Sequence, residues 1–343
     1  MAYVQKKEWL EHFKHCSIVG VTVRTKTLLA VVARRTPKEA SEWWEPDVPT
    51  IPVSINLERP KENCCGGGEY TGVAWPSIAT ARHIGLPYHT LVSNRNSRGE
   101  VIPMGGGREW AEEFIFDFNL DKTVHAFSCK RLKSLGPVVY AVGVGRGVFC
   151  RVGVNQWQDM GKNLNAITRA EQDQADRQNG GEYVYIDDGF ADIDQFTPTD
   201  MYAAGGAGDV WRFDGQQWIR VPFPSNEQLS TVCCAGDGYV YIGGEGCSLW
   251  RGREDTWEKV APGGSSILWN DMRWFNGQLY CASDYNFRVW DGKELNAVTH
   301  KGERVPISGH MDAADGVLVV AGGEYVMRFD GQEWMTVVAP WLS

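Results

Sequence analysis

The chain has 343 residues, 43% of them hydrophobic, and its 43 acidic side chains outnumber 34 lysines and arginines for a formal net charge of −9. No run of basic residues interrupts that balance, which disfavours a nucleic-acid or anionic-membrane surface and suits a basic protein partner. The opening MAYVQKKEWLEHFKH has no apolar core, no stretch of about 18 uncharged apolar residues follows, and nine cysteines without a Cys-x-x-Cys pair read as reduced thiols, so the expected setting is the cytoplasm, with neither membrane span nor disulfide framework.

In chain order, the first segment is KKEWLEHF (6–13), the end of an N-terminal arm over 1–13. It echoes the later phrase GQEWMTVV and reads either as a strand that closes a ring or as a short helix. Residues 14–340 then read as short strands in repeated units. The earliest unit is CSIVGVTV, LLAVVARR, SEWW and IPVSINL, with an insertion at 53–72. The second is SIATARHIG (77–85) with YHTLVSNRNSRGEVIPMGGGREW (88–110), ending on Trp110. The third is VHAFSCKRL (124–132) with VVYAVGVGRGVFCRVGVNQWQDM (138–160), carrying Trp157. A second insertion, 162–182, stretches the interval from Trp157 to Trp218 to 61 residues. Its AITRAEQDQADRQ is polar nearly all round and reads as an exposed helix or a mobile loop. The fourth unit begins near Gly189 and contains RFDGQQW (212–218), which returns as RFDGQEW (328–334) 116 residues later.

That return sets the architecture. Trp218, Trp257, Leu295 and Trp334 stand 39, 38 and 39 residues apart, so 116 residues are three periods. Within 228–260 the runs LSTVCCA, YVYIGG, SLWRG and TWEKV give four strands. Asp-Gly pairs close first-to-second hairpins at 237–238 and 315–316, and third-to-fourth hairpins at 214–215, 291–292 and 330–331. This dipeptide tolerates the positive φ that tight turns demand. Four antiparallel strands every 39 or so residues make a propeller blade, and the whole reads as an all-β, single seven-bladed propeller, with six blades the runner-up. The recurrent tryptophan fills the gap where blades diverge toward the rim; a row of carbohydrate-stacking indoles is its alternative use.

The segments ADGVLVVAGGEYVMRFDG and FNGQLYCASDYNFRVWDG, with Trp290-Asp291, resemble the core of a WD40 repeat. VYIGGEGCSLWRGREDTWEKVAPG resembles a shortened kelch repeat. The resemblance covers about 124–340 and departs from both families: WD40 repeats carry a buried His and Asp in most blades, matched here only at Gly309-His310, and kelch units are longer. It implies a binding platform, although some propellers are enzymes and fold alone does not decide.

Two groups of side chains are the functional candidates. Glu245, Asp284, Tyr285, Glu324 and Tyr325 stand in second-to-third-strand turns, on the face where both insertions are expected to emerge. Asp192, Asp194, Asp271, Arg273, His310 and Asp312, with Arg82 and His125, stand on first strands lining a central channel. The leading reading is a monomeric protein-binding scaffold that engages its partner through the loop-rich face, in its most pointed form an immunity or antitoxin-like protein neutralising a toxin. The alternatives are a glycan hydrolase or lyase in which Asp192, Asp271 and His310 converge, and a lectin. There is no Gly-x-Ser-x-Gly elbow and no sialidase box, and VGVGRGVF (142–149) lacks the helix and lysine of a phosphate cradle. His12 and His15 have no third ligand nearby, and Cys64-Cys65 sits beside three glycines in no zinc-like spacing, so no catalytic residue, metal or cofactor is assigned. Adjacent Cys233 and Cys234 point to opposite faces of a strand and read as small hydrophobes between blades.

Overall fold

Along Val317–Gly322, Val317, Val319 and Ala321 pack toward one neighbouring sheet while Leu318 and Val320 pack toward the other. A strand with a two-residue side-chain period buries both faces only if another sheet lies on each side. Stacking sheets radially until the last meets the first satisfies every one of them, and that is the arrangement in the computed structural model, which describes residues 2–36, 43–82, 89–95, 99–104, 113–115, 127–164, 176–181, 189–264 and 266–341.

Seven four-stranded antiparallel sheets follow in chain order. Blade 1 is Cys16–Thr25, Leu28–Arg35, Thr50–Asn56 and Cys65–Gly67. Blade 2 is Ser77–Ala81, His89–Ser93, Glu100–Met104 and Glu113–Phe114, and blade 3 is Cys129–Leu135, Val138–Gly143, Val148–Gly153 and Gln156–Asp159. Blade 4 is Phe190–Thr197, Asp200–Gly205, Asp209–Phe213 and Trp218–Arg220; blade 5 is Leu229–Cys234, Val240–Gly244, Ser248–Arg253 and Thr256–Ala261. Blade 6 is Asp271–Phe275, Gln278–Ala282, Phe287–Trp290 and Leu295–Ala297, and blade 7 is His310–Ala314, Val317–Gly322, Tyr325–Phe329 and Trp334–Val338. The apolar core is divided into seven clusters, one per junction between neighbouring blades, including the junction of blade 7 with blade 1. Among the described residues no helix is long and apolar enough to cross a membrane.

The period-marking residues do what their size suggests. Trp218 is buried between blades 3 and 4, beside Phe213 and Phe190, and donates its Nε1–H to the Met160 carbonyl at 3.0 Å. Trp157, Trp257, Leu295 and Trp334 each pack, half-buried, on the blade before their own. Filling such a gap with an aromatic ring is worth on the order of 1.5–3 kcal/mol from area alone. At the hairpins, Asp315 and Gly316 both adopt positive φ, 50° and 74°, as a type I′ turn demands. Asp214, Asp291 and Asp330 add a side-chain device: each Oδ1 accepts the backbone N–H groups two and three residues on. Cys233 faces blade 6 and Cys234 blade 4, and all nine cysteines are free.

The N-terminal arm crosses the closing junction. Tyr3 N–H donates to the Thr336 carbonyl at 3.0 Å and Val4 N–H to the Val337 carbonyl at 2.9 Å, both on the outer strand of blade 7. Trp341 Nε1–H donates back to the Val4 carbonyl at 3.2 Å. The strand-like contact thus comes from residues 3–4, whereas Lys6–His12 is a helix whose Trp9 is buried with Phe13 among blade 1 and blade 7 side chains.

Three boundaries differ from the sequence expectation. IPVSINL is the third strand of blade 1 rather than the fourth, and Trp43 and Trp44 of SEWW precede it in a connection, because the short Cys65–Gly67 supplies the outer strand. The 53–72 segment is therefore mostly strand and turn of blade 1, and only its last residues run on to blade 2. The inner strand of blade 3 begins at Cys129, five residues later than read. Trp110 and His125, and positions 165–175 of the second insertion, lie outside the described residues.

Candidate functional site

The inner-strand charges form inter-blade joints. Asp192 of blade 4 is fully buried; its Oδ2 accepts Val232 N–H at 3.0 Å and Thr231 Oγ1–H at 2.8 Å from blade 5, and Lys133 Nζ–H at 3.0 Å from blade 3. Asp194 accepts Cys234 N–H at 3.0 Å. Asp271 of blade 6 accepts Met311 N–H at 3.1 Å from blade 7, and Asp312 of blade 7 accepts Val23 N–H at 2.8 Å and Thr22 Oγ1–H at 3.0 Å from blade 1. The repeating logic is one carboxylate satisfying an inner-strand amide of the next blade. Cations complete the network: Arg131 Nη1 lies 2.7 Å from Asp271 and its Nε 3.5 Å from Asp192, and Arg273 reaches Asp271 at 3.0 Å and Asp312 at 3.8 Å.

The structure thus brings Asp192, Asp271 and His310 into one connected group, with His310 Nδ1 3.5 Å from Asp271 Oδ2. It does not give that group the electrostatics of a glycosidase. A general acid there needs a carboxyl whose pKa is raised. Burial pushes Asp192 and Asp271 upward, but Lys133, Arg131 and Arg273 around Asp192, and Arg273, Arg131 and His310 around Asp271, overcome it and hold both below the ordinary carboxylate range. The same carboxylates hold Arg131 and Arg273 above their ordinary values against burial. The donors and acceptors are spent on the joints between blades. Arg82, at the far mouth of the channel, lines a cavity of about 440 Å³ with Arg24, Asp312 and Asp315 and donates Nε–H to the Arg24 carbonyl at 3.4 Å.

The turn residues have the opposite character. Glu245, Asp284, Tyr285, Glu324 and Tyr325 are all exposed. They share one face with the blade-to-blade connections: Gly309 N–H donates to the Ser283 carbonyl, Gly264 N–H to the Gly246 carbonyl, and Ile18 N–H to the Gly323 carbonyl. Among the described residues, Glu245, Asp284 and Glu324 form no ion pair, so their charge is turned to solvent. The Asp284 carboxylate accepts the Asn270 side-chain amide at 2.6 Å, and its backbone carbonyl accepts Ser308 Oγ–H at 2.7 Å.

The same face carries exposed aromatic residues, of which the sequence reading named Tyr285 and Tyr325 but not Trp43, Trp44 or Trp75. Trp44 is 74% exposed, Trp75 56% and Tyr285 72%, with Trp43 and Tyr325 also exposed. Trp43 and Trp44 stand in the second-to-third-strand connection of blade 1, and Trp75 in the connection from blade 1 to blade 2. Trp75 sits in the left-handed region at φ 39°, unusual for a bulky residue. The surroundings impose it: Trp75 N–H donates to Glu45 Oε1 at 2.9 Å, Arg34 Nη1 pairs with the same Glu45 carboxylate at 2.9 Å, and Arg34 also donates to the Glu45 and Val73 carbonyls. Arg95 lies over the Trp75 ring, 5.8 Å from its centroid. The indole is held outward rather than left to fold onto the blade. The slot tryptophans among the described residues are all at least half-buried between blades and present no row of indoles for a glycan.

Comparison with known proteins bears on this face. No known protein-family profile matches the chain. Over 242 residues, 70% of this chain and 74% of the other, it is 33% identical to a curated protein named immune protein Tsi7, from Pseudomonas aeruginosa. Among solved structures it resembles the WD40 propeller domain of Doa1, with a TM-score of 0.59 at 11% identity over 91% of this chain and 92% of that one. It also resembles YCF48 from Cyanidioschyzon merolae, with a TM-score of 0.58 at 10% identity over 92% and 95%. These structural likenesses establish the propeller fold.

Proposed function

The chain belongs to the family of the immune protein Tsi7, and from that premise we propose that it is an immunity protein that binds and neutralises a toxin through its loop-rich face. The observation that carries the surface assignment is the contrast between the two charged regions. The central carboxylates are consumed by inter-blade bonds, whereas the turns present exposed aromatics beside acidic groups that pair with no cation among the described residues. Interfaces concentrate their energy in a few Trp and Tyr anchors ringed by polar residues. On this reading Trp44, Trp75, Tyr285 and Tyr325 are the anchors, and Glu245, Asp284 and Glu324 steer a partner whose contacting surface is basic.

The test joins binding to protection. The partner is captured from the native host on the tagged chain, then produced in cells with and without it. The reading expects toxicity that the chain suppresses, and loss of both capture and suppression in a Trp44→Ala, Trp75→Ala double variant whose urea midpoint is unchanged. Full protection by that variant would refute the face, and a captured protein without suppressible toxicity would refute the function.

A further inference from the structure

Glu8, Cys64 and Cys65 take no part in the face or the central network, yet all three are buried and their donor atoms lie within 4.8 Å of one another. Glu8 comes from the N-terminal helix; the cysteines come from the turn that enters the outer strand of blade 1. Spacing along the chain could not show this group, because Glu8 is more than fifty residues from its partners. The two Sγ atoms are 3.8 Å apart. A tetrahedral ion holding two thiolates at about 2.3 Å each keeps them about 3.8 Å from one another.

The charges in this group are one-sided. Glu8 Oε2 accepts Cys65 N–H at 2.8 Å, and no ion pair is made by Glu8 among the described residues. A buried carboxylate without a cation is costly. Nothing in the group supplies positive charge, and every member is a recognised ligand for one kind of ion.

We propose that Glu8, Cys64 and Cys65 bind a thiophilic divalent cation of the zinc class, which pins the N-terminal helix to blade 1. Binding forms two metal–sulfur bonds and one metal–oxygen bond, releases both thiol protons to solvent, and leaves a fourth position for water. The place gives the ion a task. Residues just before this helix hydrogen-bond to the outer strand of blade 7, at Thr336 and Val337, so an ion on its other side fastens the arm across the junction that closes the ring.

The experiment uses the full chain. Protein purified in zinc-containing buffer and desalted is expected to retain about one ion per chain. After stripping with a chelator, cobalt(II) is expected to give the near-ultraviolet thiolate-to-cobalt band, and reloading with zinc to raise the thermal midpoint. Cys64→Ser and Cys65→Ser, checked for fold by circular dichroism, are expected to lose the band; Glu8→Gln is expected to keep a sulfur band but bind cobalt(II) more weakly. The proposal is overturned if folded wild-type protein retains no zinc and gives no such band. It is equally overturned if the band survives in both serine variants, or if the purified chain is lighter by two hydrogens, as a disulfide between the adjacent cysteines requires.

Discussion

Replacing Asp192 tests whether the central charges are joints between blades. Its carboxylate is fully buried and receives four hydrogen bonds at 2.8–3.0 Å, from Lys133, Thr231 and Val232 and from the N–H of Ile193. Asp192→Ala removes all four at once and strands an ammonium whose remaining neighbours are the Val232 carbonyl at 3.0 Å and Asp194 at 3.9 Å. Breaking one side of such a pair costs about 3–5 kcal/mol. Asp192→Asn keeps an amide oxygen for Thr231 and Val232 and loses mainly the charge, so about 1.5–3 kcal/mol is expected, the range of a hydrogen bond to an ion. Because a domain is stable by only about 5–15 kcal/mol, the asparagine variant is the safer one to measure. Urea unfolding followed by tryptophan fluorescence reads both. Adding Lys133→Met to Asp192→Asn should cost less than the two changes separately, with a coupling of about 1–3 kcal/mol. An alanine variant within about 1 kcal/mol of wild type, or strictly additive Lys133→Met and Asp192→Asn effects, would refute the reasoning, because an ordinary channel lining exposed to water behaves that way.

Acid should act on the same residues. Asp192 and Asp271 are held below the ordinary carboxylate range, against burial, by the surrounding cations. A depressed carboxylate stabilises the fold fully above its unfolded value, about 3.9, and loses that contribution as pH falls through the lower folded value. The urea midpoint should therefore hold steady above about pH 5 and fall below about pH 4, with a shallower fall in Asp192→Asn; equal slopes would remove the assignment. Changing Glu245, Asp284 and Glu324 together to lysine should slow association with the toxin partner, on the order of tenfold at low salt, and flatten its salt dependence while barely changing dissociation. Association rates in stopped flow that ignore both charge and salt would count against electrostatic steering. Trp75→Gly separates strain from contact. Glycine accepts the left-handed backbone that a tryptophan adopts at a cost of about 1–3 kcal/mol, so the urea midpoint should not fall, while affinity measured by calorimetry should drop at least about tenfold. A variant that binds as wild type would show that the indole is not an anchor.

The ring was legible because its signals are local and repeated. The spacing of Trp218, Trp257, Leu295 and Trp334 reports one packing slot visited once per blade, and Asp-Gly reports the hairpins between strands. Legibility failed where composition misleads. SEWW is aromatic and passed for a strand, although its tryptophans are exposed in a connection. VHAF is apolar and moved the inner strand of blade 3 five residues early. The inner-strand aspartates were visible as polar residues in a place that faces a channel, but which amide each one satisfies depends on the neighbouring blade, about 40 residues away in sequence. Trp75 was hidden for a related reason. A tryptophan in a propeller reads as blade packing, and only the Glu45–Arg34 pair, distant in sequence, turns this one outward.

That division between spent and unspent polar groups separates the residues that hold the ring from those free to meet a partner. A charge in the centre is linked to two or three blades at once, as Arg131 is to Ala191, Asn270 and Asp271, so changing it disturbs several junctions together. Among the described residues the side chains of Glu245 and Glu324 carry no such ties, while Asp284 is held by Asn270 and Ser308; the turns that present the two glutamates are shaped by adjacent glycines, Gly246 at φ 71° and Gly323 at φ 58°. Substitutions at the two glutamates act nearly independently of the ring and of one another, since sites without shared partners add. The Trp44–Trp75 corner lies between these extremes. Its backbone is tied through Glu45 to Arg34, whose guanidinium is buried against Val73, so on the proposed function the anchors are held in place before any partner arrives. Rigid aromatic anchors reduce the entropy lost on binding, while free charges at the other turns can be exchanged to suit a new surface. On the proposed function, strength and selectivity thereby fall to different residues of the same face, and the ring holding them stays unchanged.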